Sequence, residues 1–215
     1  MHKIFIIDDH PIVRSGIIRL LERTPGMEIC GEAGSIREAR EFLAQKVPDL
    51  ILLDILLENE SGLDFLKELK ANGSKAKVLV LSMMEASVYA RRVLKAGAKG
   101  FVAKAQATKE LAQAINEVLA GHAYLSPQIA LQLATEINLP ANEKTRNSEL
   151  ACLTDRQLQI FQLIGQGLTQ RQIADRLKIQ PRTVESHKAH IRDRLNCQTM
   201  AELNSKAGRE SSTSG

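Results

Sequence analysis

The 215-residue sequence predicts an α/β domain, a (βα)5 arrangement on a doubly wound parallel sheet, followed by an all-α unit of four helices. Three observations lead there. Over the first 122 residues, short apolar runs alternate with helical patterns, the order of a sheet with crossover helices. The runs are apolar throughout rather than alternating, as in strands covered on both faces. From residue 151 onward the pattern is helical only, with three helix-opening capping boxes.

The elements follow in order. Lys3–Ile7 is a run of strand formers ending at Asp8-Asp9. Pro11–Arg23 has helical spacing, with Val13, Ile17, Leu20 and Leu21 on one side. Pro11 suits the first turn, where its missing N–H costs nothing. Glu28–Ala33 reads as a strand, and Ser35–Ala44 as a helix opened by Ser35 and Glu38. Leu50–Leu53 is an apolar strand ending in Asp54, and Ser61–Lys70 is helical. Lys77–Leu81 is apolar and ends in Ser82, and Ala86–Ala96 is a helix stopped before Gly97. Gly100–Ala103 is a brief strand ending in Lys104, and Thr108–Ala120 a helix capped by Thr108 and stopped at Gly121. Ser126–Ile137 reads as one more helix; Asn138–Glu149 is polar, contains Pro140 and reads as a linker. Thr154–Gln157, Thr169–Gln172 and Thr199–Glu202 each open a helix, and Pro181–Asn196 forms another. The resulting division is 1–122, a linker over 123–150 with a helix at 126–137, a helical domain over 151–206 and a flexible tail over 207–215.

Composition narrows the function. Hydrophobic residues are 44% and charged residues 25%, ordinary for a globular protein. Apolar runs fall short of the ~20 residues that a membrane helix needs. Two carboxylates follow the first apolar run at once, so no signal peptide is expected. The three cysteines are far apart and odd in number, so neither a disulfide framework nor a zinc site is expected, and a reducing cytoplasm fits. Aromatics at 3% argue against a single-strand binder built on stacking platforms. Residues 1–125 carry 17 basic and 16 acidic groups, whereas residues 151–215 carry 10 and 6. A small basic C-terminal unit suggests a polyanion partner; the alternative is a well-solvated surface.

In an open parallel sheet, ligands sit outside the C-terminal strand ends. There the sequence places Asp8 and Asp9, Asp54, Ser82 and Lys104. Three carboxylates at close range need a cation, and oxygen ligands suit Mg2+. Lys104 offers a point charge and Ser82 a hydrogen bond to a phosphoryl oxygen. A carboxylate can act as nucleophile toward phosphorus. Taken singly, each aspartate could be a helix cap or turn residue and Lys104 a surface charge. Taken together, the five groups read as a phosphate pocket.

Residues 1–122 resemble the receiver domain of two-component signalling, a flavodoxin-like fold. The match runs through Ile6-Ile7-Asp8-Asp9-His10, Leu52-Leu53-Asp54, Leu79-Val80-Leu81-Ser82 and Lys99-Gly100-Phe101-Val102-Ala103-Lys104. The resemblance implies that Asp54 is the phosphoacceptor, that Asp8, Asp9 and Asp54 hold Mg2+, and that Ser82 and Lys104 read the phosphoryl group. It gives Phe101 the role of an aromatic switch moving with Ser82, against plain core packing as the alternative. Leu57-Glu58 stands where many relatives have Met-Pro, and Ala105 where many have Pro.

The helical end reads as a helix-turn-helix, with Gln157–Ile164 as scaffold, Gln170–Leu177 as the first motif helix and Lys178-Ile179-Gln180 as the turn. Arg182–Leu195 would lie in the major groove, with Val184, Ile191 and Leu195 on the core side. Lys188 and Arg192 would grip phosphates; Glu185, Ser186 and Ala189 could approach base edges. Residues 151–206 resemble the LuxR-type helix-turn-helix through Leu153-Thr154-Asp155-Arg156-Gln157, Gly167-Leu168-Thr169, Gln172-Ile173-Ala174, Leu177, Thr183-Val184-Glu185-Ser186-His187 and Ile191. Arg182, Thr183 and His187 join the expected DNA-facing set by that pattern. Gln157 departs from it, since relatives usually carry Glu there.

The order of the two resemblances is that of NarL/FixJ-type response regulators. It implies a cytoplasmic, non-enzymatic transcription regulator that takes a phosphoryl group on Asp54 from a histidine kinase, binds double-stranded DNA and forms a homodimer when phosphorylated. A phosphatase on the same fold and a phosphorylation-independent interaction module are the rival readings.

Overall fold

A computed structural model of the chain describes residues 1–57, 60–82, 87–137, 150, 152–177 and 179–212. The chain divides after Ile137 into two compact units.

The first unit runs β1 (His2–Ile7), α1 (Pro11–Leu21), β2 (Met27–Ala33), α2 (Ile36–Leu43), β3 (Leu50–Asp54), β4 (Leu56–Leu57), β5 (Glu60–Ser61) and α3 (Gly62–Ala71). It continues with β6 (Lys77–Ser82), α4 (Ser87–Ala96), β7 (Gly100–Ala103), α5 (Ala107–Ala120), β8 (Tyr124–Leu125) and α6 (Pro127–Ile137). Six strands form one sheet in the order β2-β1-β3-β6-β7-β8, every neighbouring pair parallel. Side chains alternate between its faces. On one face Ile4, Ile6, Leu50, Leu52, Leu79, Leu81 and Val102 form a core with Ile17 and Leu21 of α1 and Leu111, Ile115 and Val118 of α5. On the other, Phe5 stacks on Phe42 of α2 with ring centroids 4.1 Å apart. Helices therefore cover both faces, which is why the strand sequences read as continuous apolar runs.

Two features of this unit lie outside the sequence reading. Tyr124–Leu125, inside the expected linker, adds a sixth strand: Tyr124 N–H donates to Lys99 O at 2.9 Å and the ring is buried against the sheet edge. β4 and β5 pair antiparallel, Leu56 with Ser61 and Leu57 with Glu60. The chain leaves β7 through a 3-10 turn over Lys104–Gln106, so α5 begins at Ala107 and Thr108 lies inside its first turn rather than capping it. At the other end Gly121 adopts φ +97°, and His122 N–H closes the helix onto Glu117 O.

The second unit contains α7 (Asp155–Gly165), α8 (Gln170–Arg176), α9 (Pro181–Arg194) and α10 (Met200–Ser212). Thr154 and Thr169 form the complete capping boxes expected with Gln157 and Gln172. The core joins Leu158, Phe161, Ile173, Val184, Ile191 and Leu203, each 1% exposed or less. The flexible tail expected from residue 207 is instead helical through Ser212. Ala207 follows Leu203 by one helical turn and is 1% exposed, so burial carries the helix past the point where polar composition suggested a stop. Residues 138–149, Lys178 and residues 213–215 lie outside the described residues.

Candidate functional site

The first strand end bears Asp8 just beyond β1, the third strand ends in Asp54, and Lys104 follows β7. Because β1 and β3 are adjacent, with Ile7 in register with Leu53, their acidic ends meet. Asp8 is 1% exposed and Asp54 2%. Lys104 Nζ lies 2.5 Å from Asp8 Oδ2 and 2.5 Å from Asp54 Oδ2. The remaining oxygens are held by backbone: His10 N–H donates to Asp8 Oδ1 at 2.8 Å, and Leu56 N–H to Asp54 Oδ1 at 3.0 Å. Gly62 packs so close that a Cβ there would lie 2.6 Å from the Asp54 carbonyl oxygen, which fixes the end of β3 against the start of α3.

Burial pushes the Asp54 carboxyl up to about 6, and the neighbouring Asp8 charge adds to this against the opposing pull of Lys104. Burial alone would lower the Lys104 ammonium, but Asp54 and Asp8 outweigh it and raise it, so Lys104 stays charged. Asp8, Asp9, His10 and Asp54 each bring a ligand atom within 4.8 Å of the others. Asp9 Oδ1 also lies 2.6 Å from His10 Nδ1. One ammonium against three carboxylates leaves the pocket net negative, and its oxygen-rich donor set fits a hard divalent cation.

The structure therefore brings together four of the five strand-end groups, Asp8, Asp9, Asp54 and Lys104. Ser82 is fully buried at the end of β6, one residue past Leu81, the register partner of Asp54. Phe101 is fully buried in β7 between Val80 and Leu125. Sequence reasoning missed Arg14, one helical turn into α1. Its guanidinium donates to Asp8 O at 2.6 Å and pairs with Glu32 at the end of β2 at 2.9 Å. It missed His10 as a pocket group too; its position directly after Asp8-Asp9 was the available signal.

In the second unit, Val184 and Ile191 of α9 are fully buried, so the helix turns its other side outward. Arg182, Glu185 and Ser186 are exposed; Thr183, His187, Lys188, Ala189 and Arg192 are half-buried. Arg192 folds back on Asp193 at 2.8 Å. Burial, with the charges of Arg156 and His190, lowers the His187 imidazole, which keeps it neutral near pH 7. Gln170 donates to Pro181 O at 2.8 Å and ties α8 to the first turn of α9. Gln157 Oε1 accepts from Thr154 N–H and from Arg194 Nη1, both at 3.0 Å, joining the start of α7 to the end of α9.

Residues 4–116 match the family model of the response regulator receiver domain, and residues 151–207 that of the bacterial regulatory proteins of the luxR family. The chain belongs to the LuxR-type two-component response regulators. This response regulator is 33% identical over 202 residues to the virulence-factor transcription regulator BvgA of Bordetella pertussis, covering 94% of each chain. It is 32% identical over 203 residues, again 94% of each, to the response regulator GacA of Pseudomonas aeruginosa. Among solved structures, a LuxR-family two-component response regulator from Aurantimonas sp. SI85-9A1 is 35% identical, covers 65% of this chain and 99% of its own, and superposes with a TM-score of 0.62. RcsB of Salmonella enterica serovar Typhimurium, solved on the promoter rprA with the phosphomimetic BeF3−, shares the fold at 21% identity and a TM-score of 0.62, covering 96% of this chain and 98% of its own. No described helix of the response regulator is long and apolar enough to cross a membrane.

Proposed function

We propose that this response regulator is a phosphorylation-switched, sequence-specific transcription regulator whose phosphoacceptor is Asp54. The observation that carries this is the sharing of one buried ammonium, Lys104, by the carboxylates of Asp8 and Asp54. Asp54 is a nucleophile poised beside a fixed positive charge in a site almost closed to water. A histidine kinase would supply the phosphoryl group: an Asp54 oxygen bonds to phosphorus as the phosphorus–nitrogen bond to the donor histidine breaks. Lys104 Nζ would then shift its contact from the carboxylate to a phosphoryl oxygen, and the Ser82 hydroxyl would bond another. Phe101 would repack in step with Ser82 and alter the face around α4, a local electrostatic change biasing a two-state domain.

Asp8, Asp9 and Asp54 would hold Mg2+. When bound, it would neutralise charge on the phosphoryl oxygens during transfer. The oxygen donors and net negative charge of the pocket support that assignment.

The output side is α9 in the major groove of double-stranded DNA. Arg182, Lys188 and Arg192 would contact phosphates, with Glu185, Ser186 and Ala189 toward base edges and Thr183 and His187 flanking them. Phosphorylation would favour a homodimer that sets two such helices about one DNA turn apart. The chain would work in the cytoplasm, with phosphorylation in the unit that ends at Ile137 and DNA binding over 151–206.

The test is enrichment of bound sequences from a random duplex pool, with and without acetyl phosphate and Mg2+. The expected result is a near-palindromic site, enriched more strongly with the donor, and no donor effect in Asp54→Asn. Equal enrichment in all cases would overturn the switch.

A further inference from the structure

The hairpin β4–β5 leaves and re-enters the fold at Asp54 itself. Leu56, its first residue, donates its N–H to Asp54 Oδ1 at 3.0 Å. Gly62, just past its last residue, bonds Ile55 O at 3.2 Å and packs on the Asp54 carbonyl. The pairing of Leu56 with Ser61 and Leu57 with Glu60 therefore sets where the Leu56 N–H points. A two-stranded ribbon this short has little stability of its own. Leu57 is buried and Ser61 caps α3, and Glu60 ties the ribbon to a further element, α2. Its Oε2 accepts the Ile36 N–H at 2.7 Å, at the first turn of α2. That N–H is one of the donors a helix start leaves unpaired, and a carboxylate there is favoured by the helix dipole. Ser35 caps the same helix separately, accepting from Glu38 N–H at 3.2 Å.

We infer that Glu60 is a positioning residue for the aspartyl phosphate: by pinning the hairpin to α2 it holds the Leu56 N–H at the acceptor and sets the lifetime of the phosphoryl group. The inference rests on Asp54 being the acceptor. Decay of the phosphorylated state is hydrolysis: water adds to phosphorus, the bond from phosphorus to the Asp54 oxygen breaks, the carboxylate leaves with the electron pair, and inorganic phosphate and a proton are released. A loosened hairpin lets the Leu56 N–H drift and admits water to the phosphorus, so the phosphoryl group is lost faster.

The experiment follows decay of the phosphorylated full chain by intact mass after removal of acetyl phosphate, with Mg2+ kept constant. Glu60→Ala loses the acceptor of the Ile36 N–H, and Glu60→Asp keeps the charge but is too short to reach it. Both should shorten the half-life several-fold. Glu60→Gln keeps an oxygen that accepts from Ile36 and should restore a half-life near wild type. Ser35→Ala weakens the start of α2 without touching the hairpin and should leave the half-life unchanged. Equal half-lives in wild type, Glu60→Ala and Glu60→Asp overturn the inference while leaving Asp54 as acceptor. A shortening in Ser35→Ala as large as in Glu60→Ala also overturns it, because general loosening of α2 would then be the cause. A wild type that neither gains a phosphoryl group nor binds beryllofluoride overturns the acceptor reading and the inference with it.

Discussion

Asp8 and Asp54, carried by adjacent parallel strands, are joined through a single ammonium: Lys104 Nζ lies 2.5 Å from one carboxylate oxygen of each. All three side chains are at most 5% exposed. In so dry a site neither carboxylate can stay charged cheaply without the lysine.

Replacing Lys104 with Met should leave two facing buried carboxylates uncompensated. The expected cost is about 3–5 kcal/mol, measured by urea unfolding at neutral pH in EDTA. Added Mg2+ should recover part of it, since a cation replaces the missing charge. An unfolding midpoint equal to wild type would show that the ammonium is not what holds the two acids.

The pH dependence of stability follows from Asp54. Its pKa rises from 3.8 to about 6 on folding, so the folded state favours the protonated form. Without metal, ionised Asp54 costs stability above pH 6; the cost fades as pH falls through 6 and is gone below 3.8. Two units correspond to about 3 kcal/mol at most. Asp54→Asn should therefore be the more stable protein at neutral pH in EDTA, with the gap closing toward pH 4. Parallel stabilities across that range would contradict it.

Gln157 accepts from Arg194 at 3.0 Å while capping α7. Gln157→Glu should turn this into a charge-assisted bond next to the positive end of a helix and stabilise the second unit by about 0.5–1 kcal/mol. Calorimetry should show a higher Tm that high salt reduces. A lower Tm would mean that burial of the charge outweighs the pairing.

On α9, Lys188→Ala should weaken binding to all duplexes alike and reduce the slope of affinity against salt by about one ion. Ser186→Ala should leave the slope unchanged and shift preference at individual base pairs. A sequence-dependent effect of Lys188→Ala would exchange the two roles.

The parts of the fold that the sequence announced are those where one periodicity rules a long stretch. Apolar runs ending in Asp54 and Ser82, and the capping boxes at Thr154 and Thr169, reflect local rules that tertiary contacts reinforce. Asp8, Asp54 and Lys104 were legible as a group because parallel strands bring their C-terminal ends together. What escaped depends on contacts between distant residues. Tyr124–Leu125 is a strand only because Lys99 and Gly100 offer an edge to pair with. Arg14 reaches the pocket through the carbonyl of Asp8, which no side-chain pattern reports. Glu60 looks like one polar residue among several until its carboxylate is seen on α2. Ala207 keeps α10 helical beyond the expected end because its burial, not its neighbours' composition, decides.

The most direct measurement is the intact mass of the full chain after incubation with Mg2+ and acetyl phosphate, beside Asp54→Asn. One phosphoryl group added to the wild type and none to the variant is the predicted result. An adduct of equal yield on both would place the acceptor elsewhere and contradict the assignment of Asp54.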